Sequence, residues 1–361
     1  MNILNILFDF HPGGVERLAV DVANQLARQG QNSYVCIISN EYSRELVAQF
    51  SPQVQLIFLK RYNNFRKIHY LLQLNKVIRH NKIEVMHIHQ GVLLSFYMLV
   101  KLMNPGLKIY YTVHDTYLFT ELSKKNKLLA GLVCRKLVAI SDAVKEDIAK
   151  NGIKETKIVR IYNGVDFSRF DIRENYNRKE GDLVAITNAA RLYPAKKGQD
   201  ILIKAVSLLK QEGYRLRVNL AGGPVPDDPD AMKRMQDLCK EWGLEEEVKI
   251  LGNVDNIPDL LEQTDIFVMA SRFEGFGIAA VEAMGMGIPC VASNIAGLNE
   301  VIDSDMVGRL FSPGDEKELA ASLKYVIEHI DSYQVDEIAL NARCRFSIEN
   351  MAGRLVNVYG S

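Results

Sequence analysis

The segment IFVMASRFEGFGIAAVEAMGMGIPCVAS, residues 266–293, decides the fold of the chain. Its first four residues are apolar and predict a short buried strand, and the polar loop that follows contains Ser271 and Glu274. A turn at Gly277 leads into a helix that contains Glu282, and a second apolar strand follows two closely spaced glycines. A strand, turn, helix and strand in this order indicate a parallel α/β unit.

The turn in this segment has the features of an anion site. It directs backbone N–H groups and the positive end of a helix dipole beyond the carboxyl end of a strand. Glu274 and Glu282 flank the turn, and Glu282 lies in a stretch, residues 277–286, that is otherwise apolar or glycine. A carboxylate in such surroundings needs a partner or a ligand. Two solvated glutamates on an ordinary strand, loop and helix are the alternative.

The segment resembles the Glu-x7-Glu signature of the retaining glycosyltransferases of family 4, including the serine before the first glutamate and the Gly-x-Pro after the helix. The resemblance implies that Glu274 holds the hydroxyls of a transferred sugar and that the backbone amides of Phe276, Gly277 and Ile278 lie nearby. It also implies that Glu282 binds the ribose hydroxyls of a nucleotide donor.

Length and composition indicate two domains with buried cores, since the chain has 361 residues of which 48% are hydrophobic. The N-terminus has no basic region before its first strand pattern, and the longest apolar run, residues 92–100, is too short to span a bilayer. We therefore expect a soluble, cytoplasmic protein. Five scattered cysteines predict buried thiols and neither a disulfide framework nor a metal site.

Charge is unevenly distributed along the chain. Residues 1–165 hold 22 Lys and Arg against 12 Asp and Glu, whereas residues 166–361 hold 22 against 32. The positive excess forms short clusters interleaved with apolar side chains, at residues 60–61, 66–67, 79–82, 124–127 and 135–136. Such clusters either form a solvated surface or dock on anionic lipid at the inner face of the cytoplasmic membrane. Nucleic acid is not expected, because no recognition motif accompanies the charge.

A glycine-rich turn joins the first predicted strand, residues 3–8, to a helix. Gly13 and Gly14 would let the backbone pass close to a ligand, and the helix that follows would offer N–H groups to phosphate. The three-glycine dinucleotide fingerprint is absent, and many α/β units need such glycines only for the turn. The residues GGVER resemble the N-terminal loop of family 4 enzymes, which implies that both glycines lie against the donor and assigns Glu16 to the acceptor.

Strand and helix patterns alternate through residues 3–161, and the continuously apolar strands predict a parallel, doubly wound sheet. Ligands of such sheets lie beyond the carboxyl ends of the strands, where His114 and Asp115 follow residues 108–113. A hydrogen-bonded loop histidine is the alternative, but loops at strand ends often carry chemistry. The resemblance implies that His114 reaches the transferred sugar, and Asp115 is assigned to the acceptor.

Two further histidines, His87 and His89, lie at the end of another predicted strand. Because they alternate with Ile88, we expect one imidazole to face inward and the other outward. The sequence offers no third metal-ligating residue beside these two histidines, so it does not predict a metal site here. Packing, or for His89 a contact with the acceptor, is the expected role.

A cationic loop follows the first strand of the second half. Arg191 and Lys197 flank this loop, and two fixed cations there would complement a diphosphate, although exposed basic residues without a role are the default interpretation. The loop resembles the Arg-Leu…Lys-Gly diphosphate clamp of family 4 with one residue more, so Lys196 and Lys197 are alternatives. By the same resemblance Gly222 lies in a donor-binding turn and Val254 lies where the base is held.

The resemblance covers nearly the whole chain and implies an α/β protein of the GT-B class, with two doubly wound Rossmann-like domains facing across a cleft. Residues 1–165 would form an acceptor-binding domain on which the last helix, 347–361, packs back. Residues 166–346 would form the nucleotide-sugar-binding domain, with polar residues 169–181 as the linker into it.

The implied reaction is transfer of a sugar, with retention, from a nucleotide-diphosphate donor to a hydroxyl of a glycan or lipid-linked acceptor. A UDP-sugar is the expected donor, and synthesis of capsule, lipopolysaccharide or exopolysaccharide is the expected process. The expected catalytic set is His114, Arg191, Lys197 and Glu274; its cations and the helix amides would stabilise the leaving diphosphate without a metal or another cofactor. A nucleotide-sugar epimerase and a non-catalytic sugar-nucleotide-binding subunit are the alternatives.

Overall fold

The structure is a computed structural model that describes residues 1–11, 13–61, 67–174, 176 and 181–361. It forms two compact units, of which unit 1 comprises Met1–Asp166 and Phe346–Ser361 and unit 2 comprises Phe167–Arg345. Part of the predicted basic cluster at 66–67 and part of the predicted linker at 169–181 lie outside the described residues.

Both units contain parallel sheets made of short, buried strands. The strands of unit 1 are β1 (Asn2–Leu7), β2 (Asn32–Ser39), β3 (Gln55–Arg61), β4 (Val85–Ile88), β5 (Lys108–Val113), β6 (Lys136–Ala139) and β7 (Ile158–Arg160). The strands of unit 2 are β8 (Val184–Ala189), β9 (Leu216–Ala221), β10 (Val248–Gly252), β11 (Ile266–Met269), β12 (Cys290–Ser293) and β13 (Gly308–Phe311).

Helices connect these strands in chain order. They are α1 (Gly14–Arg28), α2 (Arg44–Val47), α3 (Lys67–His80), α4 (Leu94–Met103), α5 (Leu118–Glu121), α6 (Lys124–Val133), α7 (Asp142–Lys150), α8 (Pro194–Lys197), α9 (Gln199–Gln211), α10 (Ala231–Glu241), α11 (Ile257–Glu262), α12 (Ile278–Gly285), α13 (Leu298–Val301), α14 (Glu316–Glu328), α15 (Val335–Phe346) and α16 (Ile348–Gly360). Among the described residues, none of these helices combines the length and the apolar character that crossing a bilayer requires.

The sheet of unit 1 has, within the described chain, seven parallel strands in the order β3-β2-β1-β4-β5-β6-β7. The chain moves outward from β1 to β3 and then returns to place β4 on the other side of β1. The loops after β1 and β4 therefore leave in opposite directions and open a crevice at the carboxyl edge, which is where doubly wound sheets bind ligands. Gly13 follows β1, His89 follows β4 and His114 follows β5, so all three lie at this edge.

The sheet of unit 2 repeats this arrangement with six parallel strands among the described residues, in the order β10-β9-β8-β11-β12-β13. Its order reverses between β8 and β11. Arg191 and Lys197 follow β8, and Ser271 and Glu274 follow β11. The predicted donor-binding side chains are therefore brought to the position where the topology opens a crevice.

The last helix of the chain, α16, belongs to unit 1. Its first turn is capped by Ser347, whose hydroxyl accepts a hydrogen bond from the backbone N–H of Asn350, and it packs against α1. Near its end Tyr359 is fully buried against Tyr110, whose hydroxyl donates to the Val358 carbonyl over 3.1 Å. Aromatic burial thus fixes the C-terminus of the chain to β5.

The described part of the predicted linker is packed on unit 2. The backbone N–H of Arg173 donates to the Met286 carbonyl over 3.0 Å, and its guanidinium donates to the Thr264 carbonyl and lies 4.2 Å from the ring centroid of Tyr176. The Tyr176 hydroxyl donates to the Asp265 carbonyl over 2.8 Å. The polar composition of this segment predicted a linker, but its Arg and Tyr side chains satisfy carbonyl groups at the start of β11.

A glycine allows the turn after β8 to lie on the end of β11. Gly198 has φ 68°, a left-handed conformation that ends α8 and starts α9, and a Cβ atom at this position would lie 1.9 Å from the carbonyl oxygen of Ala270. No side chain fits in that space. The backbone approach holds the loop that carries Lys197 against the loop that carries Glu274.

We expect Gly198→Ala to lower the free energy of unfolding of the full chain by more than about 3 kcal/mol, because a steric clash with a backbone oxygen adds to the cost of a left-handed residue. The matched control is Gly213→Ala, since Gly213 has φ 93° but open space around the added Cβ. This variant should lose only about 1–2 kcal/mol. Urea denaturation measures both changes, and equal losses would show that the close approach to Ala270 contributes nothing.

Candidate functional site

The two loops at the crevice of unit 2 meet in an ion pair. Lys197 Nζ donates to Glu274 Oε1, and Ser271 Oγ donates to the same oxygen over 3.0 Å. The side chains of Lys197 and Glu274 are only 14% and 12% exposed, so water screens their attraction much less than at an open surface. Lys197, one of the two lysines that the sequence left as alternatives, thus contacts Glu274.

Arg191, the second predicted cation, is exposed at the same edge. Within the part of the chain that the structure describes, no hydrogen bond or ion pair engages its guanidinium, whereas its carbonyl oxygen accepts a hydrogen bond from Gln199 Nε2 over 3.0 Å. Gln199 is almost fully buried and therefore fixes the backbone from which Arg191 extends. The backbone is fixed while the charged group can turn toward an anion.

Arg272 has a different role from its charged neighbours. Its guanidinium donates to both carboxylate oxygens of Asp200, over 3.0 and 2.9 Å, and to the Pro194 carbonyl over 2.7 Å. The hydrogen bond that the Arg272 guanidinium donates to Asp200 raises the pKa of Arg272. This bidentate contact ties the loop that carries Glu274 to the first turn of α9. This pair could not be predicted from the sequence, since the spacing of charges along a chain does not show which side chains meet.

The helix α12 begins at the same edge. Gly277 precedes it with φ 97°, and a Cβ atom there would lie 2.4 Å from Leu298 Cδ2. The backbone N–H groups of Gly277 and Ile278 precede the first hydrogen bonds within the helix, which begin with Ala280 N–H. One and a half turns into α12 lies Glu282, which is half-buried. Phe276 is buried.

The remaining predicted donor residues lie on the far side of β8. Gly222 has φ 138°, and a Cβ atom there would lie 1.9 Å from the carbonyl oxygen of Ala190, so close backbone contact alone requires a glycine. Val254 is half-buried in the loop after β10. Gly222 N–H donates to the carbonyl of Gly252 over 2.6 Å, which brings the loops after β9 and β10 together.

At the crevice of unit 1, the turn into α1 combines open backbone with a carboxylate. Gly13 is extended with φ −170°, and a Cβ atom there would lie 2.6 Å from Glu16 Oε2. Gly14 begins α1 and has open space around the position of a Cβ atom. Glu16, in the first turn of α1, is half-buried, and its carboxylate folds back toward Gly13.

Three histidine rings stack at the carboxyl ends of β4 and β5. The rings of His87 and His89 are 4.8 Å apart and those of His89 and His114 are 5.2 Å apart. His87 and His89 therefore lie on the same face of the sheet. Our expectation that one faces inward and the other outward was wrong, because residues two apart on a strand point to the same side.

Hydrogen bonds occupy most of the ring nitrogens in this stack. His87 pairs through Nδ1 with the hydroxyl of Tyr359 and through Nε2 with Thr112 Oγ1 over 2.6 Å. His89 Nδ1 lies 2.9 Å from His114 Nε2. Burial lowers the pKa of His89 to about 4, and burial together with the neighbouring imidazoles lowers the pKa of His87 and of His114 well below 6.5. All three rings are therefore neutral at neutral pH.

Asp115 follows His114 and shapes the loop. Its carboxylate accepts a hydrogen bond from the backbone N–H of Thr116 over 2.9 Å, and the residue is half-buried. Among the residues that the structure describes, no group of three or more His, Cys, Asp or Glu side chains is arranged to hold a metal ion.

A cavity of about 550 Å³ lies at the opposite, amino edge of the unit 2 sheet. Its lining includes Asp182, Glu212, Glu328 and Asp331 with Arg215 as the cation. Carboxylates in this excess repel a diphosphate, so the cavity does not compete with the carboxyl edge as a site for an anionic donor.

Two family models match consecutive parts of the chain. The model of Glycosyltransferase Family 4 matches residues 12–169, and the model of Glycosyl transferases group 1 matches residues 168–337. The chain belongs to the family 4 glycosyltransferases. It is therefore an enzyme of a retaining family that uses a nucleotide-sugar donor. The family predicted from the sequence is confirmed.

Curated relatives agree with this assignment. An uncharacterized glycosyltransferase of Methanocaldococcus jannaschii is 29% identical over 238 residues, which cover 62% of this chain and 59% of that relative. A 41.2 kDa protein of the cps region in Klebsiella pneumoniae is 25% identical over the full length of both chains.

Solved structures share the fold of this glycosyltransferase. Anabaena HepE, crystallised with UDP and glucose, has a TM-score of 0.83 at 22% identity over the whole of both chains. The lipopolysaccharide outer core galactosyltransferase WaaB has a TM-score of 0.78 at 16% identity, with 100% of this chain and 99% of that chain covered. The predicted GT-B class with two Rossmann-like folds is confirmed.

We expect the Lys197–Glu274 pair of this glycosyltransferase to be coupled in stability. In a double-mutant cycle of Lys197→Met and Glu274→Gln, the coupling energy should be about 1–3 kcal/mol, since both groups are shielded from water. The exposed pair Lys324–Glu212, with 42% and 48% of its side chains exposed, is the control and should give less than about 1 kcal/mol. Urea denaturation of the variants measures both coupling energies. Equal coupling energies for the two pairs would show that burial does not strengthen the Lys197–Glu274 ion pair.

Proposed function

We propose that the protein transfers a sugar, with retention, from a UDP-sugar to a hydroxyl of a glycan or lipid-linked acceptor in the synthesis of a surface polysaccharide. The observation that carries this proposal is the meeting of Lys197, Ser271 and Glu274 at the topological crevice of unit 2, with Arg191 exposed beside them. HepE binds UDP and glucose, which supports uridine as the base. The cps region and the lipopolysaccharide outer core, named for two similar proteins, support the process.

The donor diphosphate would lie against the cations of unit 2. Lys197 already holds a carboxylate oxygen of Glu274, so its ammonium is oriented toward the crevice before the donor arrives. Arg191 can present two parallel N–H groups to phosphate oxygens, and the amides at Gly277 and Ile278 add neutral donors. Gly222, Val254, Phe276 and Glu282 would complete the nucleotide pocket.

Departure of the diphosphate is the difficult step of the reaction, because negative charge accumulates on the leaving oxygen while the anomeric carbon becomes positive. Fixed cations and amides stabilise that charge without reorganising, and this is where they lower the barrier most. Glu274 is positioned by Ser271 and would accept hydrogen bonds from sugar hydroxyls. We propose that these protein groups supply the stabilisation without a metal.

The acceptor would bind to unit 1. Glu16 and Asp115 follow the strands at its crevice, and His114 presents a neutral imidazole there, while Gly13 and Gly14 leave open backbone for the donor. Neutral and acidic groups suit hydroxyls, which donate hydrogen bonds, better than they suit phosphate. We therefore assign the acceptor hydroxyls to unit 1 and the nucleotide to unit 2.

A lipid-linked acceptor would require the enzyme to reach a membrane, and one face of unit 1 suits this. The helices α3, α4 and α6 pack side by side and expose large apolar side chains: Ile68, Leu72, Leu99, Leu102, Leu128 and Leu132. Lys124 and Lys125 are exposed at the start of α6. Apolar side chains flanked by lysines suit anionic lipid. We propose that this face docks on a bilayer.

Only some of the basic side chains at residues 124–127 and 135–136 are available to contact lipid at this face. Lys127 Nζ donates to the Thr120 carbonyl over 2.6 Å and to Asn151 Oδ1 over 2.8 Å, and so it is committed to the fold. Arg135 likewise donates to the C-terminal residue, Ser361. Lipid contact therefore falls to Lys124 and Lys125.

UDP should raise the melting temperature of the protein in a buffer that contains EDTA, since the proposed cations are supplied by the chain. Lys197→Met and Arg191→Met should each weaken UDP binding about 10- to 100-fold, because each removes a charge-assisted hydrogen bond. Lys210→Met is the matched control, as Lys210 pairs with Glu247 at the amino edge of the same sheet. Calorimetric titration measures all three, and unchanged affinity in both site variants would overturn the donor site.

Vesicles that contain anionic lipid should bind the protein, and Lys124→Gln with Lys125→Gln should weaken binding about 10-fold or more, at roughly 1 kcal/mol for each lysine. The control is Lys233→Gln with Lys240→Gln, which removes the same charge from exposed positions on α10. Replacing Leu128 and Leu132 by serine should also weaken binding at high salt. If sedimentation with vesicles is equal for all variants, this face does not dock on lipid.

A further inference from the structure

A chain of three polar side chains runs through unit 1 behind the crevice. Asn5 lies in the middle of β1, in the otherwise mostly apolar sequence NILNIL, and is 1% exposed. Its Oδ1 lies 3.4 Å from His89 Nε2, and His89 Nδ1 lies 2.9 Å from His114 Nε2. The chain ends at His114 Nδ1, which is buried and has no hydrogen-bond partner within the described residues.

The direction of the protons along this chain follows from its first member. An amide oxygen only accepts hydrogen bonds, so His89 must carry its proton on Nε2 in order to donate to Asn5 Oδ1. A neutral imidazole with a proton on Nε2 has a bare Nδ1, which accepts. His114 must then carry its own proton on Nε2 to donate to His89. Its Nδ1 is left as a bare acceptor.

Burial keeps both imidazoles, His89 and His114, neutral, and only a neutral imidazole has a bare nitrogen that accepts a hydrogen bond. The pKa of His89 is lowered to about 4 by burial, and the pKa of His114 is lowered well below 6.5 by burial and by the neighbouring His89. An imidazolium would donate from both nitrogens and leave no acceptor at the end of the chain. At neutral pH the tautomer of His114 is therefore set by Asn5, two side chains away.

We propose that Asn5 and His89 are positioning residues that hold His114 in the Nε2–H tautomer, so that its bare Nδ1 accepts a hydrogen bond from a hydroxyl of the substrate. The assignment of the hydroxyl to a sugar rests on the proposed function, whereas the tautomer does not. A bare ring nitrogen attracts an O–H group and repels a phosphate oxygen. His89 thus acts through His114 and has a different role from the acceptor contact predicted from the sequence.

His87 offers a control inside the same stack. Its ring lies on His89, but its own hydrogen bonds go to Tyr359 and Thr112 and do not join the chain. Tyr359→Phe removes one of these bonds and keeps an aromatic ring in place. This change should leave the protons of His89 and His114 where they are.

The direct test is NMR of the full-length protein labelled with 15N in its seven histidines. Long-range proton–nitrogen spectra distinguish a protonated ring nitrogen from a bare one, and His114→Gln identifies the signals. The proposal expects His114 with a protonated Nε2 and a bare Nδ1 at neutral pH, in the native protein and in Tyr359→Phe. A protonated Nδ1 with a bare Nε2 overturns it, because the amide of Asn5 would then be reversed and would donate to His89.

Asn5→Asp tests the coupling. A carboxylate beside His89 Nε2 favours the imidazolium of His89, whose Nδ1–H would donate to His114 Nε2 and move the proton of His114 to Nδ1. We expect this reversal in the spectrum and at least a tenfold loss of kcat/KM for sugar transfer. Asn5→Leu, which removes the acceptor without adding charge, should give a mixture of the two His114 tautomers. If His114 keeps one tautomer in both variants, Asn5 does not set it.

The two proposals fail separately. The expected spectrum in a protein that transfers no sugar from UDP-glucose or other UDP-sugars overturns the proposed function and leaves the tautomer standing. The opposite tautomer in an active transferase overturns the role of Asn5 and His89 and leaves the proposed function standing.

Discussion

The backbone contact between Gly198 and Ala270 is the constraint on which the carboxyl edge of the unit 2 sheet depends. It brings two loops from neighbouring parallel strands within van der Waals distance, and the hydrogen bond from Arg272 N–H to the Lys196 carbonyl, 2.8 Å long, joins the same loops. This backbone contact brings the Lys197 and Glu274 side chains within hydrogen-bonding distance of each other. The charge at this edge is thus organised by a steric condition on a single glycine.

Much of the fold could be predicted from the sequence, because most strands are continuously apolar and most helices begin or end at recognisable residues. The strands at 108–113 and 266–269 have the predicted bounds. β13 was not predicted, since its four residues include an arginine and a glycine and its burial depends on β12. The pattern of residues within a segment does not show which distant strand that segment will pair with.

The site was predicted less completely than the fold, for a physical reason. Residue type and position after a strand identified Lys197 and Glu274 as charges at one edge, but their direct contact required coordinates. The pair Arg272–Asp200 was missed for the same reason. Asn5 could have been found from the sequence, because an amide in the middle of a buried strand needs a partner. The error about His87 and His89 was one of geometry, since the period of a strand already places both on one face.

The two crevices differ in their electrostatics. At the crevice of unit 2, an ion pair and an exposed arginine provide fixed charge, which suits the concentrated negative charge of a diphosphate. At the crevice of unit 1, neutral rings and an amide provide directed hydrogen bonds, which suit hydroxyls. The same doubly wound topology therefore presents two kinds of chemistry, and the difference lies in the side chains that follow the central strands.

The buried histidine stack makes unit 1 sensitive to acid. In the unfolded chain each imidazole takes up a proton as the pH falls through about 6.5, whereas the folded stack resists protonation, with His89 neutral down to about pH 4. The stability that the neutral rings contribute is complete above pH 6.5 and is lost below it, by up to about 1.4 kcal/mol per pH unit for each imidazole. The burial that leaves His114 with a bare nitrogen at neutral pH thus also makes the folded state less stable in acid.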